Sequence, residues 1–401
     1  MNYENSFFHI LKQVPYVDQE EKFYCHHACL SMMFQYYATD APLYEVLYHS
    51  GIGFSLAGQP RYTIFSNLKK PIFYNCWSGY SLSLGYKDIE FLARLYGLEI
   101  LDFSYKKWYV NKRFYWNQYY NKIKKYIKKK IPVYTVVDPL VLPYFQKIWS
   151  LPKLGHLAHT IVITGIDEDR KLVFFHDPIT SIYTSKNDGI HTKVDVVTFR
   201  KAVSRANFWV VPIPQKFLIL TFKKKQKPLE KKEAYKRSYK RNIERMKGSA
   251  GFYDSTYYHK IFKAFGINTL KALKSHISNS KRFAYKNLYK IKYGFIKCIN
   301  PFYFHPFKMI TYSFQTISLE KKHMSDFINE NKDKIESVFP DTVLLKEEAD
   351  YWLNLVDLFM MVEKHIKNKE KIDIGSIRKD MIDLIDKIIN CEEKIIKETQ
   401  K

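Results

Sequence analysis

The sequence is short of the features that direct a chain into a membrane or out of the cell. Its opening, MNYENSFFHILKQVPYV, has no basic stretch leading into an apolar core, so it does not read as a secretory signal. Its most apolar run, Phe208 to Phe222, is interrupted by Pro212, Pro214, Gln215 and Lys216. That run falls short of the roughly 18 unbroken apolar residues a membrane span requires. Cysteines number only five, at 25, 29, 76, 298 and 391. An odd and scattered set excludes a disulfide framework and suits reduced thiols, so the expected location is the cytoplasm. CxxC and HExxH are both missing, so no zinc site is expected. There is no repeat of fixed period, no low-complexity tail, and no arginine-rich or aromatic RNA-binding motif.

Present instead is a large surplus of positive charge. The chain of 401 residues carries a formal +25, of which residues 1–215 hold 26 Lys/Arg against 17 Asp/Glu and residues 216–401 hold 39 against 23. A field of that sign attracts acidic partners, although a lysine-biased solvated surface has the same composition. The two halves also differ in pattern. Apolar residues at Ala28, Cys29, Met32, Met33 and Tyr36 recur at helical spacing over Tyr24–Tyr37, and further helices are expected over Lys87–Tyr96, closed by Gly97, and over Asn117–Lys130. Short β-type runs follow at Val133–Val137, Thr160–Thr164, Leu172–Phe175 and Phe208–Val211, with Gly165–Lys171 as a hairpin turn. Helices followed by an antiparallel sheet predict an α+β domain over 1–215. Residues 216–248, with twelve Lys/Arg against three Glu between Lys223 and Lys247, read as a basic linker or exposed helix. Residues 249–401 read as a mainly helical domain, with packing stripes through Trp352, Leu355, Val356, Phe359 and Val362 and through Ile377, Met381, Leu384 and Ile388.

Three local patterns carry chemistry. The first is Val14-Pro-Tyr-Val-Asp-Gln19 followed by Tyr24-Cys25-His-His-Ala-Cys29. A cysteine opening a helix lies against unsatisfied N–H groups and the positive dipole end, which favour a thiolate. Gln19, six residues upstream, could supply a side-chain N–H beside that of Cys25, and two such donors form an oxyanion hole. The second is Gly155-His-Leu-Ala-His159-Thr-Ile-Val-Ile-Thr-Gly165, a histidine leading an apolar strand. The third is Leu172-Val-Phe-Phe-His176-Asp177-Pro178, a strand closing on a carboxylate. If the two strands pair across the hairpin, Asp177 holds the imidazole of His159 while its other nitrogen faces the thiol. Each piece has an ordinary alternative: an inert buried cysteine, a core histidine, a simple turn. Together, in the order Gln, Cys, His, Asp-Pro, they select Cys25, His159 and Asp177 as a nucleophile, base and orienter.

These motifs resemble the papain-like fold in its bacterial, bacteriocin-leader-peptidase-like branch, and are similar in particular to the butirosin-biosynthesis BtrH-like proteins. The closer likeness rests on Glu45-Val-Leu-Tyr-His-Ser-Gly51-Ile-Gly53-Phe54, on Pro132–Asp138 with Leu142-Pro-Tyr144, and more loosely on Phe265–Leu273 and the helix at Trp352. The resemblance covers 1–215 well and the remainder loosely. It implies Cys25 as nucleophile, His159 as base, Asp177 as third member and Gln19 in the oxyanion hole. It also implies transfer of an acyl group from a phosphopantetheine thioester on an acyl or peptidyl carrier protein to an amine, through acyl-S-Cys25, with no bound cofactor. Carrier proteins are generally acidic, which would suit the basic second half. A cysteine peptidase or amidase is the alternative; a basic nucleic-acid or membrane module has the least support. The sequence departs from the pattern at His26 and His27, which are expected on the cleft rim. His156 competes with His159 for the base. His176, Cys29 and Cys76 read as structural.

Overall fold

A computed structural model describes residues 8–19, 24–38, 40–61, 73–78, 85–106, 112–144, 159–179, 189–205, 216–249, 262, 264–279, 306–332, 341–368, 370 and 373–398. The expected strand Phe208–Val211 and His156 lie outside them. The chain forms two compact units, Met1–Leu47 with Ile89–Leu229, and Tyr48–Asp88 with Glu230–Lys401.

The first unit is a mixed α+β domain built on a seven-stranded sheet. Its strands are β1 (Phe8–Ile10), β4 (Leu98–Lys106), β5 (Val133–Val137), β6 (His159–Asp167), β7 (Leu172–His176), β8 (Thr192–Asp195) and β9 (Lys216–Lys224), in the order β4-β9-β5-β6-β7-β8. Every pairing is antiparallel. β1 pairs with Gly165–Asp167 of β6, beyond the His159–Ile163 stretch that β5 takes. Gly165 is required there, because a Cβ would stand 2.7 Å from the His9 carbonyl and 2.9 Å from Ile10 Cγ1. All nine residues of β6 and all five of β5 are buried, as befits strands paired on both sides and covered by helices. The predicted hairpin is present: β6 runs on to Asp167, and the turn closes at Lys171 in the left-handed region, φ 53°.

Helix α1 (Cys25–Ala38) packs on β6. It was expected to be amphipathic. In fact every residue from Cys25 to Phe34 is buried, so its first ten positions form a core helix. Around the same sheet lie α4 (Lys112–Lys128) and α5 (Val196–Arg205). Helix α2 (Leu43–Ser50) and helix α3 (Tyr86–Leu95) contain two of the three points where the chain passes between units, the third being Leu229–Glu230. Gly97, at φ 71°, ends α3, and its carbonyl accepts from Lys225 and Gln226.

The domain limits drawn from the sequence need correction. Strand β9 begins at Lys216 and sits between β4 and β5, so the sheet continues past 215. Residues 48–88 leave the first unit altogether. The segment read as a linker or exposed helix contains α6 (Lys231–Met246), one face of which buries Ala234, Tyr235, Tyr239, Asn242, Ile243 and Arg245.

The second unit carries a small antiparallel sheet, β10 (Ala264–Phe265), β2 (Leu56–Arg61) and β3 (Phe73–Ser78), together with α6, α7 (Ile267–Ser278), α8 (Pro306–Asn331), α9 (Thr342–Asn368) and α10 (Ile374–Glu398). Its core gathers Cys76, Leu270, Phe314, Trp352, Phe359, Met381 and Ile388. Both stripes expected on the last two helices therefore pack inward. The Ser50-Gly-Ile-Gly53 turn is shaped by this unit. Gly51 and Gly53 adopt φ 88° and 78°, and a Cβ on Gly51 would stand 2.3 Å from Arg245 Nη1. Arg245 donates to the Ser50 carbonyl and, with Arg241, pairs with buried Asp88. That motif is thus accounted for by structure.

Candidate active site

Cys25, His159, Asp177 and Gln19 all lie in the first unit, and each is buried. Cys25 is the first residue of α1, His159 the first of β6, and Asp177 follows the last residue of β7. Pairing of Val162 with His176 across the hairpin brings the start of β6 beside the end of β7. His159 Nε2 then lies 2.7 Å from Asp177 Oδ1. With Nε2–H donated to the carboxylate, Nδ1 is the nitrogen left for Cys25.

Electrostatics couple the thiol to this pair. Burial alone would raise Cys25, but the charge on His159 and hydrogen bonds from His159 and from the Thr160 side chain and backbone outweigh it and hold the thiol below its ordinary value. Burial likewise works against the imidazolium, yet Asp177 and Cys25 raise His159 to about 10. Both shifts favour the thiolate–imidazolium form of the pair over the neutral one, and that form can attack a carbonyl and return a proton to the leaving group.

Asp177 is held at every polar atom. Oδ1 also accepts from the Ile179 N–H at 3.0 Å, and Oδ2 accepts from the Tyr144 hydroxyl. Its carbonyl accepts from Tyr16 Oη at 3.1 Å, and its N–H donates to Gly189. Gln19 is joined to the same corner through its N–H, 3.1 Å from the Pro178 carbonyl. Its side-chain Oε1 is buried with no hydrogen-bond partner among the described residues.

The neighbouring residues divide clearly. His26 and His27 were expected on the rim, but they are 3% and 0% exposed. His26 Nδ1 meets the Tyr134 hydroxyl, and burial beside His26 pulls His27 well below the usual imidazole value. Both imidazoles are sunk into the core beneath the helix start, which explains the error. His176 is structural: burial lowers it to about 4, and it bridges the Val14 carbonyl and the His191 N–H at 3.0 Å each. Burial raises Cys29 and Cys76, keeping both as neutral thiols. Thr160, Tyr16 and Tyr144 were not assigned a role from the sequence. Both tyrosines follow a proline, in Val14-Pro-Tyr16 and Leu142-Pro-Tyr144, and both hydroxyls end on Asp177.

Among the described residues no cluster of three or more His, Cys, Asp or Glu is arranged to hold a metal ion, and no helix is long and apolar enough to cross a membrane. No curated protein matches the chain. Residues 11–204 match the Peptidase_C39 like family, a span that includes Gln19, Cys25, His159 and Asp177, so this part of the chain is similar to papain-like, cysteine-peptidase-related domains.

Proposed function

We propose that the protein is a cysteine-dependent acyltransferase in which Cys25 is the nucleophile, His159 its base, Asp177 the orienter of the imidazole and Gln19 a donor to the oxyanion. The observation that supports this most is the Cys25–His159–Asp177 chain, with its 2.7 Å imidazole–carboxylate contact and a thiol at a helix start. The thiolate attacks a carrier-protein phosphopantetheine thioester, the pantetheine thiol leaves with the proton from His159, and an amine then attacks acyl-S-Cys25 to give an amide and restore the thiol. Exchange between thioesters is nearly isoenergetic, so a cysteine suits the first half-reaction. Asp177 and Cys25, both buried, limit access of competing water. An acidic carrier protein suits the overall charge of +25, and the exposed face of α6 presents Lys236 and Lys240. Location in the cytoplasm and a place in secondary-metabolite biosynthesis go with this reading.

A second reading, peptide or amide hydrolysis by the same first half-reaction, is favoured by the match to a peptidase-like family. Product analysis separates the two. With an acyl-pantetheine thioester and a panel of amines, the transferase releases amide in preference to free acid. Free acid alone, at a rate no amine alters, rejects transfer in favour of hydrolysis.

A further inference from the structure

We propose that Tyr144 is a positioning residue for the Cys25–His159 pair, acting through Asp177; this rests on the reading of Asp177 as the imidazole's orienter. A carboxylate with one oxygen on His159 can still rotate about its last bond and present either oxygen, or neither, to Nε2. The Ile179 N–H fixes Oδ1 from within the same turn, at 3.0 Å. Tyr144 fixes the other end: its hydroxyl donates to Oδ2 from a distant part of the chain, beyond the short 3-10 turn Pro139–Val141. With both oxygens held, the carboxylate plane is set and the imidazole it orients is set with it.

The turn that delivers Tyr144 is itself anchored. Asp138 accepts from the Leu140 N–H at 3.1 Å, its own N–H donates to the Ala202 carbonyl at 3.0 Å, and Leu142 is fully buried. Pro143 then restricts the residue before it and limits the paths of approach. Burial and the charge of Asp177 push the Tyr144 phenol up, so it remains a donor across the working range. The titratable groups around Asp177 are His159 on β6, Cys25 and Cys29 on α1, Tyr16 after β1, Tyr144, and His176 at the end of β7. His176 is neutral above about pH 4 and Cys29 stays a thiol, so between pH 5 and 8 the reporting pair is Cys25 with His159.

The test is the pH profile of Cys25 alkylation by iodoacetamide in the full chain, read on the Cys25 peptide by mass spectrometry, for wild type, Tyr144→Phe and Asp177→Asn. Tyr144→Phe keeps the ring and removes only the donor. The expected result is an acid limb moved upward by about one pH unit, a roughly tenfold slower reaction below that limb, and an unchanged rate at high pH. Asp177→Asn moves the limb further in the same direction. A Tyr144→Phe profile superimposed on wild type, with Asp177→Asn shifted, overturns the role of Tyr144 alone. If neither variant moves the limb, the orienting role of Asp177 fails and Tyr144 falls with it. A purely structural tyrosine lowers the melting temperature without moving the limb. As a second readout, the low-field proton resonance of His159 Nε2–H should move upfield in Tyr144→Phe, whatever the change in stability.

Discussion

Replacing His159 by Ala should remove most of the reactivity of Cys25 at mildly acidic pH. In the folded protein two influences on the thiol oppose each other: burial disfavours the thiolate, and the imidazolium in hydrogen-bond contact favours it. Opposite charges about 4 Å apart attract by roughly 4 kcal/mol at an effective dielectric near 20, which is about three pH units. The alanine variant keeps the burial and loses the cation, so less thiolate exists at every pH below the new limb. Iodoacetamide labelling of the Cys25 peptide should slow about a thousandfold at pH 6 and recover at high pH. The imidazolium form lasts until about pH 10, so kcat/KM of the wild type should fall through that value as His159 loses the proton it must deliver. Overlapping labelling profiles for His159→Ala and wild type would show that His159 does not govern the thiol, and the mechanism would be wrong.

Other consequences can be checked separately. In the second unit, fully buried Lys321 pairs with Glu392 at 2.6 Å and Glu348 at 2.8 Å, and burial next to Glu392 raises Glu348 well above the usual carboxylate range. Lys321→Met and Glu392→Gln should each cost about 3–5 kcal/mol in urea unfolding. Glu348→Gln, which still accepts from Trp352 Nε1, should cost less than either at pH 7, and equal losses for all three would contradict the disfavoured charge on Glu348. Gly165→Ala must push β1 away from β6 and should cost about 1–3 kcal/mol by the same method; an unchanged midpoint would mean that β1 is not seated there. If the basic surface docks an acidic carrier, loading of Cys25 from that carrier should slow steeply between low and high salt, whereas loading from free acyl-pantetheine should not.

Much of the first unit could be read from local pattern. Val133–Val137 was bounded to the residue, the Leu172–His176 strand was placed within one position, and the hairpin turn was placed correctly at its Lys171 end but opened three residues early, since β6 runs on to Asp167. Periodicity and turn chemistry are short-range, and there they agree with tertiary structure. The same hairpin made the His159–Asp177 contact legible, since strand register alone sets that distance. What failed was long-range. Strand β9 pairs with β4 more than a hundred residues earlier, and no local signal marks Lys216 as part of a sheet once two prolines precede it. Helix α6 was judged by its charge count, but what it buries depends on face: Tyr235, Tyr239 and Asn242 repeat at helical spacing between the lysines. The departure of residues 48–88 to the second unit had no compositional mark. At the site, Tyr16 and Tyr144 were visible only as repeated Pro-Tyr dipeptides, because their shared target is a backbone carbonyl and a carboxylate far away in sequence.

Intact-mass spectrometry of the full chain incubated with an acyl-pantetheine thioester tests acyl-S-Cys25 most directly. The expected spectrum shows one added acyl group, mapped to the Cys25 peptide, absent in Cys25→Ala and discharged by an amine. An adduct of equal yield in Cys25→Ala, or one mapped to Cys29, Cys76, Cys298 or Cys391, would contradict Cys25 as the nucleophile.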